Sequence, residues 1–435
     1  TTFTETAIAG DILSVELGEK DIARLDIVFS VARDAGAAAA TAAAAIDPAS
    51  LDADVDALLA RETEVQAGLR VHMGDSNDAR LKPAVFNAFF QHLKKQVEFC
   101  SLIKGYIQLS ENSLIGVRDV FQALEGFLFW QPAAAKAKMM EALGFTAPDG
   151  RCFRQYSLPS ANGDAGRMDL RPFIDQGAWV ISCVSTYLKF TGDLAFLREM
   201  CGYHEIVDEA ARKVVKSKRE DSVLEHLVKI TDFLVRNRDP ETQCVLALYG
   251  DWNDALDGLG ISGDISKAYG TGVSVMATLQ VVQNLREMIE ILEVVNRERF
   301  AGQIAAYRNA GQEIEQGLRK YAVVESAQLG KRILHGWGDK RRYLVGGFKD
   351  PDGAARDGLT SNAFWVLAGL CEKDASLRPA ILEAFKRLDS KYGFKTFEPF
   401  FPPDTPGVGR IGKLPPGTAE NGAAYIHAAV FAIMA

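Results

Sequence analysis

Between Leu248 and Gly260 the chain reads LYGDWNDALDGLG, which sets Asp251, Trp252, Asn253 and Asp254 side by side just after the apolar run CVLALY. Carboxylates beside an indole suit a sugar. The ring stacks on C–H faces while acids and amides grip hydroxyls. A carboxylate against an aromatic wall also has its pKa raised, as a general acid near neutral pH requires. The plainer reading of the same residues is N-cap and turn chemistry. Similar groups recur elsewhere. NSLIGVRDVFQALEG carries Arg118, Asp119, Gln122 and Glu125, and RQYSLP begins at Arg154. MDLRPFIDQGAWV carries Asp169, Arg171, Asp175, Gln176 and Trp179, and DGLTSNAFW carries Thr360, Asn362 and Trp365. GTAENGAAYIHA carries Glu420, Asn421, Tyr425 and His427. Singly, each is more often structural: an Asp at a helix start caps it, and a Trp at helical spacing is core. Recurrence in stretch after stretch of an otherwise apolar chain is what raises the set above that. The remaining histidines, His72, His92, His204, His226 and His335, show no metal-ligand spacing, so no metal site is expected.

The elements that must carry these groups are mostly helical. Apolar periodicity predicts helices over 83–108, 118–128, 132–143, 174–191, 193–213, 221–238, 271–296, 298–324, 360–372, 375–391 and 421–435. Residues 11–32 alternate as two strands about a GEK turn, and the Ala-rich stretch that follows reads as a helical linker. With strands only at the start, the region from about residue 80 is expected to be all-α. Its long turn-rich stretches would be functional. Paired helices closing on themselves would bring alternate loops to one end, around a single cavity.

Composition narrows the partners. A net charge of −8 and the lack of a basic run argue against nucleic acid or an anionic membrane. KSKRED at 216–221 reads as a solvated helix face. The six cysteines lie far apart without a CxxC pair, as free thiols in a reducing compartment do. No signal peptide or membrane-length apolar run is found, and a cytoplasmic protein is the expectation. The chain starts without Met and stops inside the apolar pattern AAYIHAAVFAIMA, which reads as a piece of a longer protein.

GDWNDALDGLG, RDVFQALEG, RQYSLP, FIDQGAWVIS, GTGVSVMATLQ and GRIGKLPPGTAENGAAYIHAAVFAIMA, in that set and spread over nearly the whole chain, resemble the inverting disaccharide and oligosaccharide phosphorylases. That group includes cellobiose and chitobiose phosphorylases and the phosphorylase part of cyclic β-1,2-glucan synthase. Within it the motifs stand nearest to 1,2-β-oligoglucan phosphorylase. The resemblance implies an (α/α)6 barrel after a β-sandwich and a linker. Residues 1–32 would be the last sandwich strands, 33–80 the linker, and 81–435 a barrel truncated at its C-terminal end. It implies phosphorolysis of a β-1,2-glucan to α-glucose 1-phosphate, with inorganic phosphate as co-substrate and no cofactor. A homodimer is one assembly open to it. The general acid carries over to Asp254 and the indole at the cleaved sugar to Trp252. Arg118, Asp119, Asp175 and Glu420 fall in sugar recognition, His427 is the phosphate-binding histidine, and Asp251 supports the loop. Ala123 and Ala419 depart from the Asp and Lys common in disaccharide phosphorylases, which weighs against cellobiose or chitobiose. The alternative is an inverting hydrolase on the same barrel, which needs a second carboxylate such as Glu420, Asp119 or Asp175.

Overall fold

A computed structural model of the chain describes residues 35–45, 48–69, 73–74, 82–104, 114–157 and 168–435. The chain divides into two compact units, one up to Arg70 and the other from Val71. The strands expected at 11–32 lie outside the described residues. In the first unit, α1 (Ala35–Ala45) and α2 (Pro48–Gly68) are helices where the Ala-rich composition predicts them.

The second unit is mainly helical. It contains α3 (Pro83–Glu98), α4 (Val117–Phe127), α5 (Pro132–Leu143), α6 (Gln176–Thr191), α7 (Val223–Arg236), α8 (Val275–Asn296) and α9 (Ala301–Gly317). It continues with α10 (Leu359–Leu367), the short α11 (Leu370–Lys373), α12 (Arg378–Leu388) and α13 (Ile426–Met434). Helices buried on most sides form one row, since an all-round apolar surface needs neighbours on every side. In α6, α8 and α10 nearly every position of the first two turns is buried. Along the chain α4 packs on α6, α6 on α8, α8 on α10 and α10 on α13. Amphipathic α5, α7, α9 and α12 back this row, each against the inner helix that precedes it.

Local signals fix where these helices start. Pro132 opens α5, and α7 has a reciprocal capping box between Ser222 and Glu225. The Ser274 hydroxyl accepts the Ala277 N–H at 3.0 Å and caps α8. Two-residue ladders, Ile115–Gly116, Val273–Ser274 and Asp357–Gly358, lead directly into α4, α8 and α10. The inner helices therefore begin at fixed points. Those beginnings hold Arg118 and Asp119, Asp175 and Gln176, Ser274, Thr360, and His427.

The expectation of strands only at the start is overturned. Residues 193–213, predicted as a helix, contain one 3-10 turn at Phe196–Arg198 and then the strand Met200–Asp208. That strand pairs with Lys213–Ser222 in a hairpin with irregular register at Gly202/His204 and Ile206/Asp208. KSKRED is thus solvated, but on a strand. The packing explains the outcome. Cys201 and Tyr203 alternate inward, Tyr203 stacks on His226 at 3.9 Å, and His204 stacks on Phe145 at 4.6 Å. Similarly, the helix expected over 298–324 ends in a π turn at Leu318–Ala322. A second hairpin, Val323–Ser326 with Gly330–Ile333, follows. All six thiols are free, and all but Cys100 are buried.

Candidate active site

The acid loop is built under backbone constraint. Leu248, just before it, sits at φ 53°, a region non-glycine residues rarely occupy. At the loop's far end a Cβ on Gly260 would lie 1.6 Å from the Leu248 carbonyl oxygen, so only glycine closes the loop there. Arg410 latches the loop from the C-terminal side. Its Nε donates to Asp257 Oδ2 at 2.5 Å, and its Nη2 donates to the Asp254 carbonyl.

Asp254 is held between two guanidiniums. Arg118 Nη2 donates to its Oδ1 at 2.9 Å, and Arg154 Nη2 donates to its Oδ2. Burial pushes its carboxyl upward, but Arg118 and Arg154 together outweigh burial and hold it below the ordinary carboxylate range. The aromatic wall alone predicted a raised value. The two arginines reverse that sign, so Asp254 is ionised near neutral pH.

Arg118 is also the hub of its neighbours. Its Nη1 donates to Asp175 Oδ2 and to the Asp251 carbonyl, both at 3.1 Å, and its backbone N–H donates to Gln176 Oε1 at 3.0 Å. Asp175 precedes α6 but does not cap it. Its carboxylate takes Arg118 and the Trp179 indole N–H at 3.0 Å instead. Burial raises its pKa, with Arg118 opposing. Asp119 is pushed to about 6 by burial, with Arg118 opposing and Asp254 adding to the rise.

Asp251 is buried with both oxygens engaged by protein. Oδ1 accepts the Asn253 N–H at 2.8 Å, and Oδ2 accepts the Ser274 hydroxyl. Ser274 thus joins the start of α8 to the residue before Trp252. His335 lies near the same carboxylate, its Nε2 3.9 Å from Asp251 Oδ2, and burial lowers its pKa to about 4.

Trp252 is buried and meets Tyr425, His427 and Phe431 edge-on, at 5.9, 5.2 and 5.4 Å between ring centres. Burial, with Arg118 adding to it, lowers His427 to about 4, so its imidazole is neutral and offers one donor and one acceptor. Tyr425 is raised by burial and by the nearby carboxylates of Glu420 and Asp119. Glu420 follows Ala419, whose φ of 44° turns the chain sharply, and its carbonyl accepts from Thr396 Oγ1 at 2.7 Å. Among the described residues, no group of three or more His, Cys, Asp and Glu is placed to hold a metal ion. No helix among them is long and apolar enough to cross a membrane.

Residues 73–435 match the Glycosyl hydrolase 94 superfamily, catalytic domain. The chain belongs to this superfamily. It is 30% identical over 322 residues to solabiose phosphorylase of Paenibacillus borealis, covering 74% of this chain and 36% of that one. It is 25% identical to cyclic beta-(1,2)-glucan synthase NdvB of Rhizobium meliloti (strain 1021), over 80% of this chain and 12% of that one. It is 24% identical to N,N'-diacetylchitobiose phosphorylase of Vibrio furnissii, over 58% of this chain and 27% of that one. The chain spans about a third or less of the length of these curated relatives.

Within this glycosyl hydrolase 94 domain, Arg118, Asp175, Asp251 and Asp254 fall into one hydrogen-bonded cluster, and Trp252, next to Asp251 in the chain, meets the His427 ring. Asp119 acts on it by charge, without a hydrogen bond to Asp254 among the described residues, whereas Glu420 reaches Tyr425 by charge and is not brought into the cluster. Sequence reasoning quoted Arg154 but gave it no role. It also passed over Ser274, and weighed His335 only as a metal ligand. Arg154 lies in RQYSLP, yet the contact that defines its role spans 100 residues of sequence. Its other nitrogen donates to Asp169 Oδ2 at 2.8 Å, and Arg171 holds the same carboxylate, which drops to about 2 despite burial.

Proposed function

We propose that this protein catalyses the inverting phosphorolysis of β-1,2-linked glucan oligosaccharides, giving α-glucose 1-phosphate and a shortened glucan. Residues 81–435 would form an (α/α)6 barrel, with 33–80 as a helical linker. The oligosaccharide and inorganic phosphate are its substrates, and no cofactor or metal is invoked. Superfamily membership and the names of the curated relatives support a phosphorylase. The likeness to a β-1,2-glucan synthase supports the linkage, while Ala123 and Ala419 weigh against cellobiose or chitobiose.

The observation that carries the reading is the pair of guanidiniums converging on Asp254 beside Trp252 and His427. An inverting hydrolase needs a second carboxylate to deprotonate water across the sugar ring. Phosphate is already an anion and attacks C1 without that help, so one acid suffices. Trp252 packs on the sugar whose bond is cleaved. Asp254 donates a proton to the departing glycosidic oxygen, while phosphate attacks C1 from the opposite face and inverts it. Arg118 and Arg154 hold Asp254 ionised until an anion arrives. Phosphate entering their field offsets their charge, which raises the carboxyl's proton affinity when a donor is needed. Neutral His427 supplies a hydrogen bond to a phosphate oxygen. Asp119 and Glu420 order the sugar hydroxyls, and Asp175, whose side chain is fully buried, holds Arg118 in place behind them.

The test omits phosphate. The purified protein incubated with β-1,2-gluco-oligosaccharides should release α-glucose 1-phosphate with phosphate and nothing without it. Equal product in both, as free glucose, favours the hydrolase. There Asp119, whose carboxyl is near 6, is the first candidate base.

A further inference from the structure

Beside the acid loop, outside the cluster described above, lies a cavity of about 270 Å³ walled by Tyr249, Asp257, Gly260, Ile261, Lys267 and Tyr269. Its volume is near the lower end of the ~300–1,000 Å³ typical of ligand sites, enough for one ring rather than a chain. Its wall is continuous with the support of the acid. The Arg171 guanidinium lies 4.9 Å from the centre of the Tyr249 ring, and its Nη1 donates to the Tyr249 hydroxyl at 3.3 Å. Tyr249 meets Phe173 at 5.1 Å, and Arg154 stacks over Phe173 at 4.5 Å while binding Asp254. Tyr249, Phe173 and Arg154 therefore form an unbroken path of contacts from the cavity to the carboxylate.

The chemistry of the walls suits a carbohydrate. Two phenol rings line it; Tyr249 is packed between Arg171 and Phe173, which leaves Tyr269 as the ring for C–H contact. Ile261, 60% exposed, adds an apolar rim. Exposed Lys267 and Asp264 also line it, loosely paired at 4.0 Å, and Lys267 keeps donors for hydroxyls. The Tyr269 hydroxyl has no hydrogen-bond partner among the described residues, so a donor and an acceptor are left for a ligand.

We propose that this cavity is a distal sugar subsite, which takes a further ring of the oligosaccharide whose cleaved bond lies at Asp254. The inference rests on the phosphorylase reading and adds a preference for chain length to it. A disaccharide ends at the acid loop. Longer chains run past it and gain the tyrosine-walled cavity.

The experiment compares KM across β-1,2-gluco-oligosaccharides of increasing length for the wild type, Tyr269→Ala and Ala268→Trp. Ala268 is exposed and lines the cavity, so Trp fills the space without disturbing the core. For both variants the KM ratio to wild type should grow with chain length and reach about tenfold on the longest chains. Tyr269→Phe, which keeps the ring, should lose less than Tyr269→Ala. A ratio that is the same at every length, or no change in Ala268→Trp, overturns the subsite and leaves the phosphorylase reading standing. Failure of the wild type to phosphorolyse any length overturns that reading, and the subsite falls with it.

Discussion

Arg154→Met isolates the electrostatics of the proposed proton donor. The unbranched thioether keeps much of the packing on Phe173 and removes one of the two guanidiniums from Asp254. Asp169, the other partner of Arg154, keeps Arg171, so local structure should survive. Coulomb's law at an effective dielectric of about 20 gives ~4 kcal/mol for unit charges ~4 Å apart. Delocalisation over the guanidinium and the 21% exposure of the Asp254 side chain reduce that figure. Arginine neighbours typically lower an aspartate by about 1–3 units, and Arg118 remains. Loss of Arg154 should therefore raise the Asp254 carboxyl back toward its ordinary range, by a fraction of that Coulomb figure. A general acid works protonated, so kcat/KM for phosphorolysis falls as pH rises through its free-enzyme pKa. The descending limb of the pH profile should move to higher pH, whatever happens to its height. Phosphate ionises identically for both proteins and cancels in the comparison. A limb that stays in place, or moves to lower pH, refutes the guanidinium account of Asp254.

Glu125 in α4 is pushed up to about 8 by burial, with Glu287 adding repulsion, from an ordinary 4.5. The native state thus keeps a proton that the unfolded chain loses, and the penalty grows as pH climbs from 4.5 to 8. Glu125→Gln should change little near the low end and stabilise by up to ~4 kcal/mol near the high end, read as a melting-temperature gain that increases with pH. Ser274→Ala removes both the α8 cap and a hydrogen bond to Asp251. It should destabilise by about 1–3 kcal/mol in denaturant titration and lower kcat more than it raises KM, because the acid loop loses its anchor.

The sequence made the helices legible where local signals were strong, as at Pro132 for α5 and at RDVFQALEGF for α4. It failed at 193–213, where scattered apolar residues mimic a helical stripe. Burial of Tyr203 and Cys201 against distant rings decides for a hairpin there. The acid and indole of the DWND stretch could be singled out because they are adjacent in sequence. The sign of the Asp254 shift could not, since its two arginines come from 136 and 100 residues away. Ser274 looks like an ordinary cap in sequence. Its second bond, to Asp251, exists only once the ladder at Val273–Ser274 is formed.

The claim that Asp254 is the proton donor is tested most directly by Asp254→Asn assayed on two leaving groups. On a β-1,2-glucan, whose departing sugar oxygen needs a proton, phosphorolysis should fall by about 10²–10⁴-fold or more, with the fold intact by circular dichroism. On 2,4-dinitrophenyl β-glucoside with phosphate, whose phenolate leaves unassisted, the loss should be far smaller. Equal losses on both substrates, or wild-type turnover of the glucan, would contradict the account.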